Sequence, residues 1–166
     1  VQFLDAESES CRAVHLFVEQ LKVDFGQQVT FAVRHFPVSE QSFAAALALE
    51  AAGEQDRFDD LLEAIYAIPL EAPDGADTKV SAGPEENSAS AALKYRTIAE
   101  SLGMDMPGFD AALNDRDMTQ RVETDKTDGA ALGISSPPSF FLLDGKEIRA
   151  TTLAEFRQAI AEAASR

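Results

Sequence analysis

The sequence of 166 residues holds one cysteine, Cys11, and no tryptophan. A lone cysteine cannot close a disulfide within the chain, so no covalent staple supports the fold and paired cysteines give no reading of the redox compartment. Basic residues are also scarce: 14 Lys and Arg stand against 29 Asp and Glu, for a net charge of −15. That balance argues against gripping a polyanion such as nucleic acid or an anionic membrane surface, and leaves proteins or small molecules as partners. No apolar run approaches the roughly 20 residues that cross a bilayer. The N-terminus has neither the basic region nor the apolar region of a signal peptide. It starts abruptly on Val1-Gln2-Phe3-Leu4, already strand-like and without an initiator methionine, as a chain relieved of an upstream leader or membrane anchor would. Internal repeats are absent as well, and 45% hydrophobic residues at this length suffice for the core of one domain.

What is present has an informative order. Val1 to Leu4 read as a strand ending at Asp5. Cys11, Val14, Val18, Leu21 and Phe25 then recur at helical spacing until Gly26. The β-rich run Val29-Thr30-Phe31-Ala32-Val33, closed by Pro37, predicts a second strand and hence a βαβ unit with a parallel pair. Two helices follow from Ser39, a plausible N-cap, to Tyr66, divided at Gly53, with Phe58, Leu61, Leu62 and Ile65 on one face of the second. Pro69 to Asn87 are polar and rich in Pro and Gly, which predicts a surface loop. Helical patterns return at 88–102, 109–113 and 115–132. Ser139 to Leu143, Asp144-Gly145 and Lys146-Glu147-Ile148 read as a hairpin, before an amphipathic helix with Leu153, Phe156 and Ile160. The order βαβ, helices, ββα predicts an α/β fold with a mixed sheet and an inserted helical segment.

Chemistry concentrates in the turn after the first strand. Ser8-Glu9-Ser10-Cys11 places Ser8 and Cys11 at the two ends of a four-residue motif that opens a helix, the geometry of a C-x-x-C redox site with serine first. Main-chain N–H groups and the helix dipole favour negative charge there, so a cysteine at the first position is held as thiolate. The second position, one turn in, is shielded and suits a resolving thiol.

Asp5 to Arg12, Arg34-His35-Phe36-Pro37, Glu50 to Gln55 with Phe58, and Gly133-Ile134-Ser135-Ser136-Pro137-Pro138-Ser139-Phe140-Phe141 together resemble segments of the DsbA-like thiol–disulfide oxidoreductases of the thioredoxin superfamily. The resemblance spans most of the chain. It implies a thioredoxin-like core over about 1–38 and 133–166, with a helical insertion over about 39–132, in a single domain. It further implies Ser8 at the nucleophile position, Cys11 at the buried partner, and Pro138 as the cis proline of a substrate-facing loop with Pro137. Glu9 and Ser10, where strongly oxidising members carry Pro-His, complete the client-facing turn. Cysteine-containing client proteins and a redox partner protein are the implied partners, with no cofactor and no metal. The implied location is extracytoplasmic, periplasmic or secreted or in the cell envelope, with a cytoplasmic one still open.

Serine changes what that site can do. A hydroxyl forms no mixed disulfide by thiol exchange, and Cys11 has no second thiol with which to close a bond. This form is expected to be inactive or trapped. Were a cysteine to replace Ser8, Glu7 and Glu9 would oppose the helix dipole and raise its thiol pKa, giving a weaker oxidant than DsbA itself. The serine reads as a change that freezes the site, as a loss that leaves a binding module, or as a residue of another chemistry. The first ranks ahead because the surrounding segments are intact. For the last, kappa-class glutathione transferases and hydroxychromene carboxylate isomerases share the fold and use serine here to activate glutathione, although this chain is shorter and lacks their Ser-Pro-Tyr-type turn. A peptide-binding domain without redox chemistry is the third alternative.

Other candidates weigh less. His15, four residues after Cys11, makes a poor metal pair without further ligands, and His35 beside Pro37 reads as structural or surface. Phe140 and Phe141 read as core. Asp56, Asp59 and Asp60 have helical spacing and read as a solvated face.

Overall fold

The computed structural model describes residues 1–68 and 84–165. It divides into two compact units, Val1–Phe36 with Asp125–Arg166, and Pro37–Thr124.

In the first unit, β1 (Gln2–Leu4) lies at the centre of a three-stranded sheet of order β2-β1-β3. It pairs in parallel with β2 (Val33–His35), Gln2 opposite Val33, and antiparallel with β3 (Ser139–Phe140), Phe3 opposite Ser139. The parallel pair requires a crossover, supplied by α1 (Glu9–Phe25), which ends at Gly26 as expected. The sheet is mixed, as the order of elements predicts.

Alternation along the strands builds two clusters. Phe3, Phe36 and Phe141 form one, with Phe3 and Phe141 edge to face at 5.8 Å between ring centres. Leu21 of α1 and Phe156 and Ile160 of α7 (Leu153–Ala164) form the other, against which Phe17, Phe31 and Phe140 pack. Leu153 remains outside it, 56% exposed. The first cluster is closed by a near approach of α6 (Arg116–Ala131): a Cβ on Gly129 would meet the Phe36 ring at 2.7 Å. Asp125 of the same helix is buried, and its carboxylate accepts from the His35 main-chain N–H at 2.9 Å and from Arg34 Nε at 2.6 Å. Arg34 also pairs with Asp128 at 2.6 Å.

Two expectations need correction in this unit. The strand placed at 29–33 is offset, since β2 begins only at Val33. A ladder needs a partner, and β1 offers three residues, so only the stretch that meets them is paired. The expected hairpin reduces to a two-residue β3 and one bridge, Phe141 to Glu147, around a turn whose Gly145 has φ of 83°.

The second unit is helical. Ser39 caps α2 (Glu40–Gly53), its hydroxyl accepting from the Ser42 N–H at 3.0 Å. Ala44, Ala45, Ala48, Leu49, Ala51 and Ala52 are all buried, because α2 meets α3 (Phe58–Ala67), α4 (Pro84–Ser101) and α5 (Met106–Leu113). Small side chains there let three helices approach one. Leu61, Leu62 and Ile65 are the buried face of α3, with Asp56, Asp59 and Asp60 exposed as expected. Tyr95, Phe109 and Val122 are fully buried. Arg96 holds both carboxylate oxygens of Asp110, at 2.7 and 2.8 Å, across α4 and α5. The loop expected at Pro69 to Asn87 lies outside the described residues up to 83, and α4 starts at Pro84, four residues earlier than the pattern predicts. Proline suits a first helical position, where its missing N–H costs nothing.

Candidate functional site

Asp5 ends β1 and organises the turn that follows. It is buried, its carboxylate accepts from the Glu7 N–H at 2.8 Å, and its carbonyl accepts from the Ser8 N–H at 3.1 Å. These bonds bring the chain round so that Ser8, extended at φ −76° and ψ 125°, becomes the N-cap of α1. Its hydroxyl oxygen accepts from the Cys11 N–H at 3.3 Å, while its carbonyl takes the Arg12 N–H at 3.0 Å. Ser8 thus satisfies a helix-end donor that would otherwise lack a partner.

Ser8 and Cys11 are therefore brought together, one half-buried and one wholly buried. Burial pushes the Cys11 thiol up, and the nearby Asp5 carboxylate adds to this; hydrogen bonds from the Asp5 main chain and the Ser8 hydroxyl pull the other way without prevailing. The sulfur is a protonated, enclosed group at neutral pH. Glu9 and Ser10 face solvent on the first turn of α1. His15 is buried one turn further on, with Nδ1 3.9 Å from Glu19 of the same helix. Among the described residues no cluster of three or more His, Cys, Asp or Glu could hold a metal ion.

The Pro137–Pro138 peptide is cis, with Pro137 buried and Pro138 half-buried. Phe3 lies opposite Ser139, so antiparallel register sets Pro138 opposite Leu4, at the end of β1 from which the Ser8 turn departs. Glu9, Ser10 and Pro138 thus lie toward the same end of the sheet. The buried Asp5 carboxylate is a member of the site that the sequence pattern alone does not mark. Its signal in the sequence is an acidic residue closing an apolar strand three positions before the helix opens at Ser8.

The thioredoxin family model matches residues 1–162. The chain belongs to the thioredoxin family. Solved members of that fold superpose on nearly all of it. A thioredoxin-like oxidoreductase of Silicibacter pomeroyi DSS-3 aligns with a TM-score of 0.74 at 20% identity, over 99% of this chain and 85% of that one. Wolbachia pipientis alpha-DsbA1 gives 0.70 at 14% identity, over 99% and 84%. A Proteus mirablis DsbA in which a cysteine is replaced by serine, solved with a non-covalently bound peptide, gives 0.65 at 17%, over 98% and 84%. The fold is thus the thioredoxin-like one of the DsbA type.

Sequence relatives point to a different context. The chain is 28% identical over its full 166 residues to part of the Na(+)/H(+) antiporter NhaA of Herminiimonas arsenicoxydans, and covers 24% of that protein. It is 24% identical over 147 residues to NhaA 1 of Mycobacterium sp. (strain KMS), covering 21% of it. The chain spans about a quarter or less of the length of these curated relatives. No described helix is long and apolar enough to cross a membrane.

Proposed function

We propose that this thioredoxin-family domain is a thiol–disulfide oxidoreductase scaffold acting on cysteine-containing segments of client proteins, with its exchange chemistry blocked at Ser8 in the present form. One observation carries the reading: Ser8 caps α1 directly over Cys11, the sole cysteine of the sequence, and Cys11 is 0% exposed. Exchange requires a thiolate that reaches the sulfur of a client disulfide, which a hydroxyl cannot replace and an enclosed thiol cannot reach. What remains is recognition, for which Glu9, Ser10, Pro137 and Pro138 are the proposed client-facing residues. In the redox-competent form a partner protein would recycle the site, and an extracytoplasmic location, where client disulfides persist, suits that activity.

Ser8→Cys tests the proposal. Oxidised glutathione should convert the introduced thiol and that of Cys11 into one intramolecular disulfide and release two molecules of reduced glutathione, so thiol titration of the protein freed of glutathione should fall from two groups to none. That variant should also turn over insulin disulfides with dithiothreitol as reductant, while the chain with Ser8 does neither. Failure of the variant to close a disulfide would sink the reading. Saturable glutathione binding by the unaltered chain, lost in Ser8→Ala, would instead favour glutathione-dependent chemistry at the serine.

A second reading concerns setting. Because the match to the Herminiimonas antiporter covers all of this chain within 24% of that protein, the domain is proposed to work as an appendage of a longer transport protein. Comparing ion exchange by such a full-length protein in vesicles, with the domain present and deleted, tests this.

A further inference from the structure

The loop and the helix turn proposed to face clients are both rich in acceptors. Pro137 and Pro138 have no main-chain N–H. Neither can donate to a ladder, and β3 begins only after them, at Ser139. Their carbonyls remain, and among the described residues no hydrogen bond reaches either one. The Ser136 carbonyl just before them is already engaged, by the Ser139 hydroxyl at 3.2 Å. Between Ser136 and Ser139 the loop backbone therefore offers two acceptors and no donor.

Charge has the same bias. Glu9 is exposed on the first turn of α1, directly after Ser8, and among the described residues no ion pair or hydrogen bond engages its carboxylate. Glu7 places a second carboxylate, half-buried, on the other side of Ser8. Arg12, the nearest basic residue in sequence, is half-buried with its Nε enclosed. Residues 133–138, which lead into β3, carry no charge. The donors at this end are the Ser10 hydroxyl and the first main-chain N–H groups of α1, none of them charged.

We propose that this surface selects clients by what they donate: the segment it takes carries lysine or arginine beside its cysteine, paired with Glu9, and gives main-chain N–H groups to the Pro137 and Pro138 carbonyls. The proposal rests on the client-binding reading above and narrows it to a substrate class. An exposed ion pair changes affinity by roughly 1.5- to 5-fold, so Glu9 sorts clients more than it holds them. An acidic client meets repulsion at the same place, which is the other half of the discrimination. A client with proline beside its cysteine lacks an N–H for the loop and is disfavoured by the same rule.

The chain with Ser8 suits the test, because a peptide can bind it without exchange; the serine-substituted Proteus mirablis DsbA with its non-covalently bound peptide is a precedent. Two end-blocked peptides, Ala-Lys-Cys-Lys-Ala and Ala-Glu-Cys-Glu-Ala, are titrated under reductant and followed by amide chemical shifts. The lysine peptide should bind at least about fivefold tighter, and Glu9→Gln should cut that preference about threefold. Glu162→Gln, which removes one exposed charge from α7, should leave the preference in place and so separate Glu9 from the overall charge of −15. Methylating the main-chain nitrogens of Lys-Cys-Lys one at a time should weaken binding about threefold or more at one position at least. Equal affinity for the two peptides overturns the proposal, as does a preference that Glu9→Gln leaves intact. Methylation tolerated at every position overturns the part assigned to Pro137 and Pro138. Binding of neither peptide overturns this proposal and the client reading together, whereas failure of Ser8→Cys to close a disulfide removes the exchange chemistry and leaves the peptide result standing.

Discussion

Replacing Asp125 by alanine should be among the most damaging polar substitutions in the first unit. The carboxylate accepts from the buried His35 main-chain N–H at 2.9 Å and from Arg34 Nε at 2.6 Å. Losing the first bond strands a buried donor, and a hydrogen bond to a charged group contributes about 1.5–3 kcal/mol. The second counts for less: Arg34 is 30% exposed and keeps Asp128, so that pair adds about 0–1 kcal/mol. Together the loss is about 1.5–4 kcal/mol, which at about 2–4 °C per kcal/mol for a chain of this size lowers the thermal midpoint by roughly 3–16 °C. Asp125→Asn keeps an acceptor for His35 and should cost about 1 kcal/mol. Urea unfolding followed by circular dichroism, with amide exchange at His35, measures both. If alanine costs under about 0.5 kcal/mol, or asparagine costs as much as alanine, then the His35 bond is not what ties α6 to β2.

Gly129→Ala should destabilise by about 1–2 kcal/mol despite the better helix propensity of alanine, because its Cβ would enter the Phe36 ring; Gly129→Ser should be no milder, and chemical denaturation ranks them. Cys11 should react with a thiol reagent at neutral pH only under denaturant, as a wholly enclosed thiol must. Its raised pKa sets a sign as well: the unfolded thiol ionises first, near about pH 8.5, so this contribution is intact below that value and fades as pH rises through the folded one. That alkaline slope should vanish in Cys11→Ala. Ser8→Ala removes the helix cap and should lower stability by about 1 kcal/mol, whereas Ser8→Asp, which can cap, should cost less in the same unfolding series.

The parts legible from sequence are those set by neighbours in sequence. Ser39 as a cap, the helix opening at Ser8, the stop at Gly26, and the buried faces of α1 and α3 each follow from residues within a turn or two. So does the meeting of Ser8 with Cys11, because the cap bond that joins them spans three residues. Long-range partnerships were not legible. The grip of Asp125 on His35 spans 90 residues, and Asp5 is an ordinary turn acid until its burial is known.

The offset of β2 carries the same lesson further. Val29 to Val33 have the alternation of a strand, and that pattern records what the segment can bury; whether it forms a ladder depends on a partner of matching length, and β1 reaches only Val33 to His35. Val29 and Phe31 instead pack against the cluster of Leu21, Phe156 and Ile160, so the alternation serves burial on one face rather than pairing.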